Sequence, residues 1–557
     1  MIKPLSLYLV LYLLTETVSA QTSLLTERYR QPLSPGEMRY DKVATTMDVY
    51  LLRQLYTNPA YYQVAQTDSL CNSLRYRSIV CTTLAQGRSK GDFLPYEGDA
   101  SRDVRLFGAG EYTFSSAGTL FGSAQYARGR HDRIGWSSAR QPQRYLPYVS
   151  TDSVGGDFHY EDYRVEGGYA FRIADWRLGI DASFYGEQAW RKTDPRALNN
   201  TTWLRTAIGI ARSFNDHLVM WQGGAGRNKQ HVSLRYWRPG QQDRFFVAYG
   251  FGLYDFRKSG VFFGYSRMYY VSELNTRIDY RSPLRRRLML HVGTGLCYDR
   301  MRAEESDIQD LYLSKTYRFT PYLRFDWRAT SSLTLSLFAD ADISRRKGYE
   351  HIFEEYLADE ANNIYDFRLI DTQQHYSLGS SEGLFRLRLR YRLDKRHTLS
   401  VSGGTSLFMR EEKYAGEGYR IENKTAFPHA RLNYRLDSRR TEWEWGLWYG
   451  RQLRLGSTYE VTMRNQSIDH LDFQHAFAPY AYYDAAFSTL ALTASCMRHI
   501  GSYGVGASLH FMWTDGKRNA NAVYTQRVGF ASSAPMISTA PDRHDEYWGS
   551  ASLFLVF

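Results

Sequence analysis

The clearest pattern with chemical meaning is a run of arginines at every second position. It consists of Arg386, Arg388, Arg390 and Arg392, and the positions between them are apolar. A β-strand would place the four guanidinium groups on one face, where they repel one another unless carboxylates face them or anions pass between them. Two further arginines, Arg318 and Arg324, fall on the polar face of another predicted strand.

Carboxylates occupy the polar faces of other segments with the same alternation. The candidates are Asp162, Glu166, Asp326, Asp340 and Asp342. They provide possible counter-charges for the arginines. Two interpretations follow: a salt-bridged structural wall, or a basic stripe that attracts anionic solute because residues lining a barrel lumen tune its selectivity.

The histidines do not predict a catalytic centre. The chain contains 14 of them, and they are dispersed. His429 and His510 lie on polar faces without a neighbouring nucleophile or acid motif. His470 and His475 could contact iron or haem from an outer loop, but a solvated loop explains them equally well. We expect no catalytic residues, no bound cofactor and no enzymatic activity.

The four cysteines do not predict a metal site, because the sequence has no Cys-x-x-Cys pair. Cys71 and Cys81 lie ten positions apart in a chain that we expect to be exported, where a disulfide is permitted. Cys297 and Cys496 lie inside predicted strands, where each is expected to act as a small apolar residue.

The elements that position these residues are long alternating segments. From about residue 103 onward, apolar and polar residues alternate in stretches such as 162–173, 318–328, 333–342 and 385–393, which indicates strands with two unlike faces. The mean hydropathy is −0.50, and the only long apolar run is at the N-terminus, so the sequence predicts no membrane-spanning helix. The net charge of +12 is scattered through turns, which disfavours a nucleic-acid surface.

Three further features favour a membrane barrel over a soluble sandwich. Tryptophans gather near the predicted strand ends, as in the aromatic girdles of membrane barrels. Short turns, such as 174–175, 214–217 and 394–397, alternate with longer polar stretches, which we place at 130–157, 345–375, 456–474 and 515–545. The chain also ends in an apolar strand that carries Leu553, Leu555 and Phe557, which resembles the signal that outer-membrane barrels present to the barrel assembly machinery.

The predicted fold is all-β: one closed antiparallel transmembrane β-barrel formed by residues 73–557. Closure follows because every backbone donor and acceptor must pair in hydrocarbon, which a sheet achieves only without an edge. We count about 18 strands, with 16 to 20 possible, and residues 230–280 are the hardest to divide.

The N-terminus has two predicted parts. Residues 1–20 have the layout of a secretory signal peptide, with Lys3, an apolar core and the small residues Val18-Ser19-Ala20. Residues 21–72 form an N-terminal segment in which apolar residues recur at helical spacing until Asn58-Pro59-Ala60. This segment could sit in the lumen or could be a periplasmic lead-in, and it is too short to be the folded plug of a large energy-coupled receptor.

Several stretches resemble an uncharacterised outer-membrane β-barrel family of Bacteroidota. They are Asn58-Pro59-Ala60, residues 118–126, Leu146-Pro147-Tyr148-Val149 with Asp152-Ser153, residues 163–169, and Asp194-Pro195-Arg196. The resemblance implies a fold and an outer-membrane location, and it implies nothing about chemistry.

We therefore expect a monomeric outer-membrane barrel, in contact with outer-membrane lipid, that passes or hands over a solute. It could serve as an accessory to a neighbouring receptor or transport complex. A non-conducting barrel whose long loops bind a partner is the alternative, and an outer-membrane enzyme is a weaker one.

Overall fold

The structure, a computed structural model, describes most of the chain. The described residues are 35–65, 76–91, 93–115, 118–152, 154–237, 246–251, 253–255, 257–258, 261–262, 266–283, 287–305, 309–415, 419–463, 471–517, 525–528, 532–535 and 543–557. The predicted signal peptide and Cys71 lie outside these residues. Among the helices described, none is long and apolar enough to cross a membrane.

The wall is a closed antiparallel barrel of 18 strands, which confirms the predicted fold. The first nine are β1 (Ser78–Gly91), β2 (Ala100–Ser115), β3 (Gly118–Ile134), β4 (Gly156–Ile173), β5 (Trp176–Arg191), β6 (Arg196–Phe214), β7 (His217–Arg235), β8 (Ser266–Arg281) and β9 (Leu288–Glu305). The others are β10 (Gln309–Arg328), β11 (Leu333–Asp359), β12 (Ile364–Arg392), β13 (His397–Tyr414), β14 (Tyr419–Asp437), β15 (Thr441–Arg451 and Leu453–Met463), β16 (Ala486–Ile500), β17 (Tyr503–Lys517) and β18 (Arg543–Val556).

The barrel closes where β18 pairs with β1, from Ile79↔Val556 to Gly91↔His544. The terminal Phe557 continues this seam, because its backbone N–H donates to Ser78 O and its carbonyl accepts from Ser78 N. Both ends of the barrel chain therefore lie at the end with the short turns. One of those turns, Asn215-Asp216, has positive φ at both residues, as the type I′ turn of a two-residue hairpin requires.

The outer face is apolar, as the alternation predicts. Val165, Leu323 and Leu387 are 54%, 37% and 43% exposed. The residues on either side of each one in its strand point inward. Trp176, Trp327, Trp443 and Trp445 lie on this outer face near the short turns. This pattern matches a lipid-facing band bordered by aromatic side chains.

In the described part of the chain, four α-helices lie apart from the wall. They are α1 (Pro35–Ala44), α2 (Met47–Leu55), α3 (Tyr61–Val64) and α4 (Leu471–Asp484). The helix α2 buries its apolar residues at helical spacing and has Asp48 in its first turn, where the helix dipole favours a negative charge. The chain turns after α2 because the Asn58 side chain accepts a hydrogen bond from Ala60 N at 3.0 Å.

Two of the predicted long loops are wrong. Residues 345–375 are not a loop, because β11 and β12 continue as a paired hairpin as far as Asp359↔Ile364. Residues 456–474 begin as strand, since β15 continues to Met463, and α4 begins at Leu471. The difficult stretch 230–280 adds one wall strand, β8, and short strands that include Phe246–Gly250 and Leu253–Asp255, which lie in a small separate sheet with Val149–Thr151.

Candidate functional site

The N-terminal helices lie inside the barrel. We call residues 35–65 the plug. Its side chains Met47, Leu51 and Tyr61 are at most 1% exposed, and they pack against luminal residues of the wall such as Phe338 and Trp548. The contacts fall near the short turns, so the plug fills that end of the lumen. Of the predicted N-terminal segment 21–72, the structure describes residues 35–65, and these contact luminal residues of the wall.

One carboxylate of the plug faces three arginines of the wall. The Asp48 carboxylate accepts from Arg324 Nη2 at 2.6 Å and from Arg388 Nη1 at 2.8 Å, and Arg390 Nη2 also contacts it. Burial disfavours its charged form, but the guanidinium groups of Arg388, Arg390 and Arg324 outweigh burial and hold the pKa of Asp48 well below its usual 3.8. We call this group the Asp48 latch.

A second set of contacts lies on the same side of the plug. Lys42 Nζ is 2.6 Å from Asp340 Oδ2, and the Tyr50 hydroxyl donates to the same oxygen at 3.0 Å. Burial and the neighbouring Asp340 raise the pKa of Tyr50, so this hydroxyl stays protonated. Arg386 Nη1 donates to the backbone carbonyls of Val43 at 3.3 Å and Thr45 at 2.5 Å. These carbonyls lie at the end of α1, where the helix dipole favours a cation.

The Asn58-Pro59-Ala60 corner fits against glycines of the wall. Asn58 Nδ2 donates to Trp221 O at 3.0 Å. A Cβ added to Gly179 would lie 2.3 Å from the Pro59 carbonyl carbon, and one added to Gly209 would lie 2.0 Å from Asn58 Oδ1. Only glycine permits this approach of wall and plug.

The helix α3 completes the plug on the opposite side of the lumen. Gln63 Nε2 donates to Thr119 Oγ1 at 2.8 Å. The Tyr62 ring stacks on Phe121 with centroids 3.5 Å apart and planes at 4°. Thr119 and Phe121 belong to the 118–126 stretch that carries the family resemblance, so this stretch of the wall is a plug contact.

The long-loop end of the lumen is filled by a second body. We call it the cap; it comprises residues 135–152, the sheet of Val149–Thr151 with Phe246–Gly250 and Leu253–Asp255, and α4. Asp152 accepts from Arg191 Nη2 at 2.7 Å, with both side chains at most 1% exposed. Arg191 also donates to Pro195 O. Two stretches with family resemblance, around Asp152 and Pro195, therefore meet where the cap joins the wall.

The cap borders an open pocket of about 70 Å³. Most of its lining is aromatic or proline side chains, and its polar groups are Arg410, Glu412 and Asn423. Arg410 Nη2 donates to Glu412 Oε2 at 2.9 Å, so the two charges compensate each other.

A solvent-accessible chamber separates the plug from the cap. On β11, Asp340 binds the plug, and Arg346 donates to Leu146 O of the cap at 3.0 Å. Between them Asp342 points into the lumen with its side chain 40% exposed, and its partner Arg318, at 3.5 Å, is 49% exposed. The plug contact at Asp340 and the cap contact at Arg346 lie six positions apart on the strand, a distance of about 20 Å.

The same order occurs on β6. Gly209 contacts the plug, Asn199 Nδ2 donates to Ser138 O of the cap at 2.9 Å, and Arg205 between them is 45% exposed in its pair with Glu273. Among the described residues, the plug and the cap thus occupy the two ends of the lumen, and exposed, paired charges line the chamber between them.

The predicted arginines divide among these layers. Arg386, Arg388, Arg390 and Arg324 contact the plug, and Arg318 lines the chamber. Arg392 is exposed near the end of β12 and forms no ion pair within the described residues.

The predicted carboxylates divide similarly. Asp340 binds the plug, Asp326 pairs with Arg324 at 2.8 Å, and Asp342 lines the chamber. Asp162 is buried near the cap, 3.9 Å from Arg140 Nη2. Glu166 is a half-buried residue of β4 on the luminal side. The C-terminal Leu553, Leu555 and Phe557 are exposed on the outer face, at 68%, 38% and 48%.

The sequence reasoning missed Asp48 and Lys42, two charges of the plug that pair with the wall. A usable signal was present: a stripe of like charges requires a partner, and the only predicted element without a place was the N-terminal helix. His429 is buried with Nδ1 3.1 Å from Phe427 O, and His510 contacts the Trp548 ring. The described residues contain no group of three or more His, Cys, Asp or Glu side chains placed to hold a metal ion.

The comparison with known families identifies the family of this chain. The sequence model of a family of unknown function, DUF6850, matches residues 70–555. The chain belongs to this family. No curated protein sequence matches it.

Several solved structures are similar to the chain of this DUF6850 member. The copper transporter OprC has a TM-score of 0.39 at 11% identity, covering 86% of this chain and 80% of its own. The ferric citrate transporter FecA in its unliganded form has a TM-score of 0.41 at 12% identity, covering 86% and 79%. BauA, the ferric preacinetobactin receptor from Acinetobacter baumannii, has a TM-score of 0.37 at 8% identity, covering 86% and 80%. At this level of similarity they do not bear on what this chain binds.

Proposed function

We propose that this protein is an outer-membrane barrel that passes or hands over a solute through its lumen, and that the plug must leave its wall contacts for passage. The chamber between plug and cap carries this proposal. Small barrels are filled by their own wall side chains, whereas barrels of 16 to 18 strands leave an interior that must stay open or be filled by something else. Here a separate segment, held by non-covalent contacts, does the filling.

The outer face supports the location. Its apolar side chains and the aromatic residues near the short turns suit a bilayer, and a closed sheet leaves no unpaired edge. Export through a signal peptide in residues 1–20, insertion by the barrel assembly machinery through Leu553, Leu555 and Phe557, and origin in Bacteroidota belong to this proposal, as does a neighbouring receptor or transport complex that moves the plug.

A non-conducting surface-interaction barrel is the second candidate. The observation that favours it is that described residues of the plug and the cap occupy both ends of the lumen. Neither candidate includes a catalytic activity, a cofactor or a nucleic-acid partner.

Solute flux into proteoliposomes separates the two candidates. We expect the wild-type protein to admit small neutral solutes slowly and a variant with a weakened plug, Lys42→Met with Asp48→Asn, to admit them quickly. Asp342→Asn is the matched control, because it removes a luminal carboxylate that does not contact the plug. Equally slow flux through the wild-type and weakened proteins would reject passage and support the non-conducting barrel.

A further inference from the structure

One hairpin continues far beyond the rest of the wall. The strands β11 and β12 have 27 and 29 residues, whereas their neighbours β10 and β13 have 20 and 18. Pairing with β10 ends at Glu350, and pairing with β13 ends at Tyr376. Past these points each strand pairs only with the other among the described residues. We call residues 351–375 the projecting hairpin.

One face of the projecting hairpin is apolar. The register places Phe353 opposite Leu369, Glu355 opposite Phe367, and Leu357 opposite Tyr365. Directly opposed residues of an antiparallel pair share a face. Five of these six side chains are therefore apolar or aromatic. They adjoin one another in three successive residue pairs on the same face of the hairpin.

This face is open to solvent. Leu357, Tyr365 and Leu369 are 39%, 53% and 50% exposed. Phe353, at the base, packs partly against the cap cluster. A two-stranded hairpin is marginally stable alone in water, and contiguous exposed apolar side chains mark interaction sites.

The charge of the projecting hairpin is opposite to that of the chain. Residues 353–371 contain six carboxylates and one arginine, a net charge of −5, in a protein of net charge +12. Among the described residues, only Glu354 of the six carboxylates pairs with a basic side chain, Arg368 at 2.6 Å. The others contact neutral groups or solvent, so the negative charge is available to a partner.

The geometry points to a docking site for a polypeptide partner that combines apolar side chains with a net positive charge. The apolar face supplies contact area, and the backbone edges of residues 354–359 and 364–375, which pair with no other described strand, can accept a partner strand. Two copies of this hairpin would bring like charges together, which disfavours self-association. The site lies on the long-loop side and is independent of whether the lumen conducts.

The experiment measures peptide binding to the full chain in nanodiscs of neutral phosphatidylcholine. The probe is a 12-residue peptide of alternating lysine and valine, and its control replaces lysine with glutamate. We expect the lysine peptide to bind and the glutamate peptide not to bind. Tyr365→Ser with Leu369→Asn should weaken binding at least tenfold, and Glu355→Gln with Asp366→Asn should weaken it and reduce its dependence on salt.

Asp157→Asn with Glu411→Gln is the matched control, since it removes two carboxylates of other strands and should leave binding unchanged. Heat-modifiable migration of each variant in SDS gels verifies that the barrel is intact. No binding of the lysine peptide, or equal binding by the hairpin variants, would overturn the proposal. Self-association in sedimentation that the hairpin variants abolish would also overturn it, because the partner would then be a second copy.

Discussion

Substituting Asp48 with asparagine should loosen the plug without changing the shape of its side chain. In the wild-type protein one carboxylate receives two hydrogen bonds from Arg388, at 2.8 and 3.0 Å, together with contacts from Arg324 and Arg390. An amide carries no charge, and its nitrogen has no lone pair to offer a guanidinium. The substitution therefore leaves buried cations without their common partner.

The size of the destabilisation depends on which arginine loses the largest share of its stabilising contacts. Arg324 retains Asp326 at 2.8 Å, and Arg390 is 44% exposed, so water compensates both. Arg388 is 6% exposed and, among the described residues, retains only a hydrogen bond to Ser336 at 3.1 Å. Breaking a buried pair on one side costs about 3 to 5 kcal/mol, and the lower figure suits a lumen with water nearby. About 3 kcal/mol is roughly a hundredfold change in the ratio of docked to undocked plug.

Hydrogen exchange followed by mass spectrometry measures this ratio directly. Amides of Met47–Leu55 should exchange roughly a hundredfold faster in Asp48→Asn, whereas amides of β11 and β12 should keep their protection. The double variant Asp48→Asn with Arg388→Met should regain part of the loss, because it removes the cation left unpaired.

Two results would refute the reasoning. If the plug amides of Asp48→Asn exchanged at the wild-type rate, the latch would not hold the plug. Asp342→Asn removes a half-exposed ion pair outside the plug. If it raised exchange of the plug amides as much as Asp48→Asn does, the effect would come from the loss of any luminal charge and not from the latch.

Three further outcomes are expected. Gly209→Ala should raise exchange of the plug amides at a cost of about 1 to 3 kcal/mol, because its Cβ would lie 2.0 Å from Asn58 Oδ1, whereas Gly383→Ala, with no atom within 4 Å of its Cβ, should not. Asp152→Asn should speed proteolysis of the cap around residues 135–152 while leaving plug exchange unchanged, since Arg191 loses its charged partner there. Plug protection should be the same at pH 7.5 and pH 5, because the folded pKa of Asp48 lies well below 3.8; the latch is fully present above pH 3.8 and is lost only as the pH falls through that lower value.

Each of these outcomes has a clear opposite. Equal exchange in the two glycine variants would remove the close approach at Asn58 from the account. An intact cap in Asp152→Asn would show that the buried pair with Arg191 is replaceable. A plug that undocks between pH 7.5 and pH 5 would require a titrating group other than Asp48.

The wall could be predicted because its signal is local. Alternation of apolar and polar residues fixes which side chains face lipid, and the prediction for Val165 and Leu387 needed no knowledge of distant residues. The turn at Asn215-Asp216 is equally local. The length of the projecting hairpin was mispredicted, because its polar residues indicate a loop, whereas cross-strand pairing with residues 364–376 extends β11 to Asp359.

The plug contacts could not be predicted in the same way. Asp48 and Arg388 are separated by 340 residues, and an amphipathic helix such as α2 can bury its apolar face against many surfaces. The stripe from Arg386 to Arg390 indicated that some partner was required, but the sequence offered many carboxylates. The fit of Asn58 against Gly179 and Gly209 depends on three segments meeting, which no local pattern encodes.

The central claim is that the plug closes a lumen that otherwise conducts. Its most direct test is single-channel conductance in planar bilayers of the full chain and of a chain lacking residues 35–65, followed by addition of a synthetic peptide of those residues. We expect silence for the full chain, steady open steps for the shortened chain, and block of those steps by the peptide. Steady open steps from the full chain, or silence from a shortened chain that still migrates as an intact barrel, would contradict it.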